Sequence, residues 1–169
     1  MNPQRTGFGM MVAAAVGVLL LLTFVFSGLV EDRRNPNKQV QSQRVNGGIE
    51  VVLESDRQGH FIATGAINGR EVTFLVDTGA TLVSVPEGRA DELGLERMAP
   101  IGLETATGPV TGWMTRIDEV RLGDIVQRDV RAAISPGRSD TILLGMSFLR
   151  DLDITQSNGQ LRLVAAQGT

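Results

Sequence analysis

The sequence predicts a mostly β domain, a small closed barrel with one or two short helices, preceded by one transmembrane helix. Three observations predict it. From residue 49 onward, short β-branched and apolar runs alternate with turn signals built on Asn and Gly. Only two stretches there, 86–93 and 145–149, carry helix signals. Upstream lies a run of 23 residues, 8–30, that holds no charge and has only Thr23 and Ser27 as polar members. At 169 residues, 42% hydrophobic and 21% charged, the chain suits one modest globular domain plus an appendage.

Residues 1–7 read as an N-terminal tail. As a helix, 8–30 would extend about 35 Å at ~1.5 Å per residue, enough to cross a hydrocarbon core of ~30 Å with some tilt. A cleaved signal peptide competes for the same run. Its apolar core would extend over ~7–15 residues and end in a small-x-small site, and Phe26-Ser27-Gly28-Leu29-Val30-Glu31 offers none. Gly9, Ala13 and Gly17 recur every fourth residue, which puts small side chains on one helix face and permits close helix contact. Small residues are also simply common in membrane helices. Residues 31–48 are rich in Asn, Gln, Arg and Gly, with Pro36 and only Val40 and Val45 as branched apolar members. That composition predicts a flexible polar linker.

The domain is expected over 49–166. Strands are predicted at 49–53 and 61–67; Asn68-Gly69, a favoured two-residue hairpin turn, leads into 72–76. A further strand covers 82–85. Residues 86–93 read as a short helix, with Pro86 at the start and Gly94 just past the end. Residues 110–122 alternate apolar and polar members in part, then turn at Gly123-Asp124 into 125–134. Residues 145–149 open a second short helix. Residues 152–155 and 161–164 pair around Asn158-Gly159, and 167–169 form a C-terminal tail.

The chemistry concentrates at Asp77-Thr78-Gly79-Ala80. A carboxylate between two apolar strands costs free energy unless it is hydrogen-bonded or does chemistry. Glycine at 79 lets the backbone fold tightly round the carboxyl and direct N–H groups at it.

Two stretches carry a resemblance to a known family: Phe74-Leu75-Val76-Asp77-Thr78-Gly79-Ala80-Thr81, and Thr141-Ile142-Leu143-Leu144-Gly145-Met146-Ser147-Phe148-Leu149. Over about 49–166 the sequence resembles the retropepsin-like aspartic proteases, and most closely their bacterial membrane-anchored single-domain members. The resemblance implies a pepsin/retropepsin-like barrel with Asp77 as the catalytic acid and Thr78, Gly79 and Ala80 supporting its loop. It also implies a second signature loop at Leu143, Leu144 and Gly145, the glycine sitting where the strand bearing the Asp loop passes too close for a side chain. A weaker match, Thr105-Ala106-Thr107-Gly108, falls where the family carries its flap. In the family the hydroxyl equivalent to Thr78 bonds across a dimer.

Pepsin-type catalysis needs two carboxylates sharing one proton. This chain carries one Asp-Thr-Gly, and Asp118, Asp124, Asp140, Asp151 and Asp153 sit in polar or turn surroundings. The pair is therefore expected from two chains on a twofold axis, each giving Asp77, and confinement to a membrane would favour their meeting. The expected activity is endopeptidase cleavage of a peptide or protein substrate. The alternative is a catalytically silent module that binds peptides in the same groove. Trp113 follows the flap and suits either the substrate cleft or the barrel wall and interface. His60, the only histidine, has no partner motif and reads as a surface residue.

No cofactor and no metal are expected: the chain lacks cysteine and offers no cluster of ligands. A net charge of −3 argues against a nucleic-acid partner. Arg5 precedes the membrane run and Arg33, Arg34, Lys38 and Arg44 follow it, so a positive-inside count puts the domain in the cytoplasm. The resemblance implies the opposite: a single-pass protein of the bacterial inner membrane with its protease domain in the periplasm.

Overall fold

The computed structural model describes residues 35–45, 47–105, 108–137 and 139–166, together with 16, 18 and 19. Among these, no helix is long and apolar enough to cross a membrane. The expected span at 8–30, with Gly9, Ala13 and Gly17, and the tails at 1–7 and 167–169 lie outside the described residues, apart from Val16, Val18 and Leu19.

Among the described residues from Asn35 onward, eleven strands and two short helices follow one another: β1 (Ser42–Val45), β2 (Gly48–Glu54), β3 (Ile62–Ile67), β4 (Arg70–Val76), β5 (Val83–Pro86), α1 (Glu87–Ala90), β6 (Pro100–Thr105), β7 (Gly108–Leu122), β8 (Ile125–Ser135), β9 (Thr141–Leu144), α2 (Met146–Leu149), β10 (Leu152–Ser157) and β11 (Gln160–Ala166). The local turn chemistry places the hairpins. Asn68 and Gly69 adopt φ 50° and 76°, and Asn158 and Gly159 repeat those values. Two successive residues at positive φ match the right-handed twist of the flanking strands, which is why Asn-Gly favours this turn.

Strands β3, β4, β9, β5, β8 and β7 are hydrogen-bonded in that order, and β3 closes on β7 through Ala66↔Arg121 and Ile67↔Val120. The ring is a closed six-stranded barrel, as the sequence predicts. β6 extends the sheet beyond β7, and a separate sheet runs in the order β1-β2-β11-β10. Val51 and Leu53 of β2, Leu161 and Leu163 of β11, and Phe74, Ile142, Leu144 and Phe148 share one buried core.

Two pairings inside the barrel are parallel. β4 lies beside β9 with Phe74↔Ile142 and Val76↔Leu144, and β5 lies beside β8 with Val83↔Ala132 and Val85↔Ile134. In a parallel pair the carboxyl ends of both strands emerge at the same level. Asp77 and Gly145, each one residue past its strand, are thereby neighbours.

The flexible linker expected over 31–48 requires correction from Asn35 onward. Asn37 is buried: its Nδ2 donates to the carbonyls of Glu54 (2.9 Å) and Ile62 (2.7 Å), and its Oδ1 accepts the Glu54 N–H at 2.8 Å. Its own carbonyl accepts the Thr64 N–H at 3.0 Å. Val40 packs on the core, Ser42 Oγ accepts the Asp124 N–H at 2.8 Å, and β1 pairs along β2, where Gln43 donates to the buried Glu50 carboxylate. An asparagine side chain here bonds main-chain groups at the end of β2 and the start of β3, where the chain passes from one sheet to the other, so a polar segment can belong to the fold without an apolar face of its own. The folded unit begins at Asn35 rather than at 49.

Two smaller differences follow from local chemistry. The helix expected at 86–93 shrinks to Glu87–Ala90, where Pro86 offers no side-chain cap and Gly88 weakens the turn. The partial alternation of 110–122 reflects a change of face. Beyond Gly112, the buried positions of β7 are Thr115 and Ile117, then Val120 and Leu122. The switch from Ile117 to Val120 falls where the ladder skips from Ile117↔Val130 to Glu119↔Arg128, leaving out Asp118 and Asp129, the latter held at φ 60°.

Candidate active site

Asp77 crowns the loop between β4 and β5. Its backbone N–H donates to the Leu144 carbonyl at 3.1 Å, and its carbonyl accepts the Ala80 N–H at 3.3 Å. The carboxylate is half-buried, and its Oδ1 accepts the Gly79 N–H at 2.9 Å. A Cβ on Gly79 would sit 3.2 Å from that same oxygen, so glycine gives the N–H its approach. The other oxygen, Oδ2, has no hydrogen-bond partner among the described residues. Thr78 and Gly79 are exposed at the tip of the loop, and Ala80 is half-buried.

The segment 144–147 grips this loop from behind. Gly145 has no room for a side chain: a Cβ there would lie 2.2 Å from the Leu82 carbonyl oxygen and 2.7 Å from that of Ala80. Leu144 is fully buried and Leu143 half-buried. The first amides of a helix have no partner within it. Here Met146 N–H donates to the Ala80 carbonyl at 2.7 Å and Ser147 N–H to the Thr81 carbonyl at 3.0 Å. Ser147 Oγ in turn accepts the Val83 N–H at 2.9 Å. The two sequence signatures are thus a carboxylate loop and the clamp that fixes it. Ser147 lay inside the second signature, but the sequence reading assigned it no role. The available signal was a small hydroxyl residue in the first helical turn, beside apolar neighbours.

The flap match lies on the β6–β7 hairpin. Thr105 pairs with Gly108, its hydroxyl donating to the Gly108 carbonyl at 2.7 Å, whereas Ala106 and Thr107 fall outside the described residues. Ile101, Leu103 and Val110 are half-buried and alternate with the exposed Gly102, Glu104, Pro109 and Thr111, so the hairpin has one apolar face. Trp113 pairs with Pro100 and Ile134 at its base and is 38% exposed.

The remaining candidates stay outside this arrangement. Asp118, Asp124, Asp140, Asp151 and Asp153 are all exposed. His60 is a surface side chain in the β2–β3 loop, beside Asp56. Burial pushes the Asp56 carboxyl upward, but the His60 and Gln58 amides and the His60 charge outweigh it and hold the group below its ordinary value. Among the described residues no group of His, Asp and Glu could hold a metal ion.

Comparison with known proteins agrees with this geometry. A family model described as gag-polyprotein putative aspartyl protease matches residues 63–151. An uncharacterized protein of the cobV 5′ region of Sinorhizobium sp is 34% identical over 125 residues, 69% of this chain and 52% of the relative. An uncharacterized protein of Rickettsia prowazekii is 27% identical over 104 residues, 59% and 44% respectively. The chain therefore spans about half the length of these curated relatives. The crystal structure of a retropepsin-like aspartic protease from Rickettsia conorii shares the fold, with a TM-score of 0.59 at 23% identity over 75% of this chain and 96% of that one. With Asp77 on the matched loop and Gly145 closing against it, the chain belongs to the gag-polyprotein aspartyl protease family and has the retropepsin-like fold.

Proposed function

We propose that this protein is a membrane-anchored aspartic endopeptidase that works as a homodimer, with one Asp77 from each subunit. The observation that carries the reading is the carboxylate itself. It is fixed by the Gly79 N–H on one oxygen and by the 144–147 clamp behind its backbone, on an exposed loop tip with no second aspartate in such a setting among the described residues. One such group is half of a site that needs two.

In the dimer the two loops meet at the twofold axis and a water lies between the carboxyls. One carboxylate removes a proton from the water as it attacks the scissile carbonyl, and the protonated partner donates to the developing oxyanion. The tetrahedral intermediate then collapses: the carboxyl that took the water's proton gives it to the amide nitrogen, which leaves as an amine, and a hydroxyl of the intermediate returns its proton to the other carboxylate. The exposed Thr78 hydroxyl is free to reach the partner's loop, and the β6–β7 hairpins cover an extended peptide with their apolar faces. Loss of water from the covered site strengthens each of these interactions.

Dilution of the full chain tests the assembly. Specific activity is expected to fall as protein concentration passes below the dimer dissociation constant and to plateau above it. A specific activity independent of concentration, with a monomer by sedimentation, would rule out the shared site.

The uncharged run 8–30 supports anchoring in the inner membrane, and we place the folded domain in the periplasm. Alkaline phosphatase fused after residue 169 should then be active. An inactive fusion of a stably expressed chain would place the domain on the cytoplasmic side, as the count of basic residues suggests.

A further inference from the structure

We infer that Ser147 is a positioning residue for catalysis, setting the attitude of the Asp77 carboxylate through the backbone of the loop that carries it. This rests on the reading of Asp77 as the catalytic acid. The loop leaves the barrel at Asp77 and rejoins it at Val83. At the entry, the Asp77 N–H is held by Leu144. Along the far side, the Ala80 and Thr81 carbonyls are held by the amides of Met146 and Ser147. At the exit, the Val83 N–H is held by Ser147 Oγ. Three of these four bonds are main chain to main chain and would survive many substitutions. The fourth is the one that a side chain supplies.

The need for it is visible in the sheet. β5 pairs with β9 only at Ser84↔Leu143, so β9 gives β5 almost no ladder. Val83 is fully buried, and no water can replace a lost acceptor for its N–H. Ser147 fills the gap with both of its polar groups: it donates its N–H to Thr81 and accepts at Oγ from Val83, bracketing Leu82. It thereby acts as a one-residue strand. Without the hydroxyl, the buried amide must seek another acceptor and the exit of the loop must move. Displacements of about an ångström at a catalytic group cost on the order of a hundredfold in rate. Gly79, whose N–H orients Oδ1, lies within the same loop.

The test compares the full chain with Ser147→Ala and Ser147→Thr, assayed on one extended peptide at a concentration on the plateau of specific activity. Ser147→Ala should lower kcat about tenfold or more while KM stays within about twofold, because the carboxylate acts on the transition state more than on ground-state binding. Ser147→Thr, which keeps the hydroxyl, should recover most of the rate. Amide hydrogen exchange supplies a readout independent of activity: the Val83 amide should exchange faster in Ser147→Ala than in wild type or Ser147→Thr. A folded Ser147→Ala chain with wild-type kcat, or equal losses in both variants, would overturn the positioning role. Unchanged protection of Val83 would overturn the clamp itself. A wild-type chain no more active than Asp77→Asn would instead refute the underlying protease reading, and the exchange data would still report on the clamp.

Discussion

Asp77→Asn is expected to abolish peptide cleavage by the full chain while leaving its circular dichroism and melting temperature close to those of wild type. Asparagine has the same shape, and its Oδ1 can still accept the Gly79 N–H that Asp77 accepts at 2.9 Å. The loop therefore keeps its internal bond, and the Asp77 N–H keeps Leu144. What disappears is the ability to gain and lose a proton. Positioned acid–base groups contribute roughly 10²- to 10⁴-fold each, and both copies are lost at once in the proposed homodimer. The loss should therefore exceed the range of an ordinary peptide assay. Cleavage at a wild-type rate by the purified variant would show that another group does the chemistry.

Gly145→Ala is expected to be the most damaging single-methyl change in the domain. The added carbon would lie 2.2 Å from the Leu82 carbonyl oxygen and 2.7 Å from that of Ala80, and both obstacles are backbone. Either the Asp loop or α2 must retreat, which breaks the bonds from Met146 to Ala80 and from Ser147 to Thr81. Overpacking of this kind costs about 1–3 kcal/mol, and more where the neighbours cannot move. Activity should fall further than stability, because the part displaced is the one that carries Asp77. Gly102→Ala provides the control for stability: nothing lies within 4 Å of the new carbon, and the melting temperature should hardly change. Thermal denaturation of the two variants beside wild type makes the comparison. Equal melting temperatures for Gly145→Ala and wild type would mean that α2 and the loop are not in the contact described.

Both experiments turn on features that the sequence already displays. Leu144-Gly145 was legible through the resemblance to the retropepsin-like proteases, whereas Asp77-Thr78-Gly79 was legible as a local pattern, a strand ended by a tight turn. Asn68-Gly69 and Asn158-Gly159 were legible for the same reason, since the turn type is chosen by two adjacent residues. What depended on distant partners was not legible. Asn37 looks like linker in composition, and only the folded chain, which brings the Glu54 and Ile62 carbonyls together, reveals what its amide satisfies. The strand Pro100–Thr105 contains Pro and Gly, residues that suit an edge strand and disguise it in a sequence. The change of face at Asp118 and Asp129 breaks the alternation by which a strand is recognised. Ser147 reads as one more residue of a short helix until β5 is seen to need an acceptor. A closed barrel was expected, but the pair that closes it, β3 on β7, joins residues too far apart in the chain for any local pattern to record.

The shared site is the centre of this account, and mixing wild type with Asp77→Asn at fixed total protein tests it most directly. After the subunits have exchanged, only pairs of two wild-type chains hold both carboxyls. If both chains are needed, activity should follow the square of the wild-type fraction, so that an equimolar mixture keeps about one quarter of the activity. Activity that falls in simple proportion, with one half left at equimolar mixing, would mean that each chain works alone and would contradict the proposal that Asp77 acts as a pair.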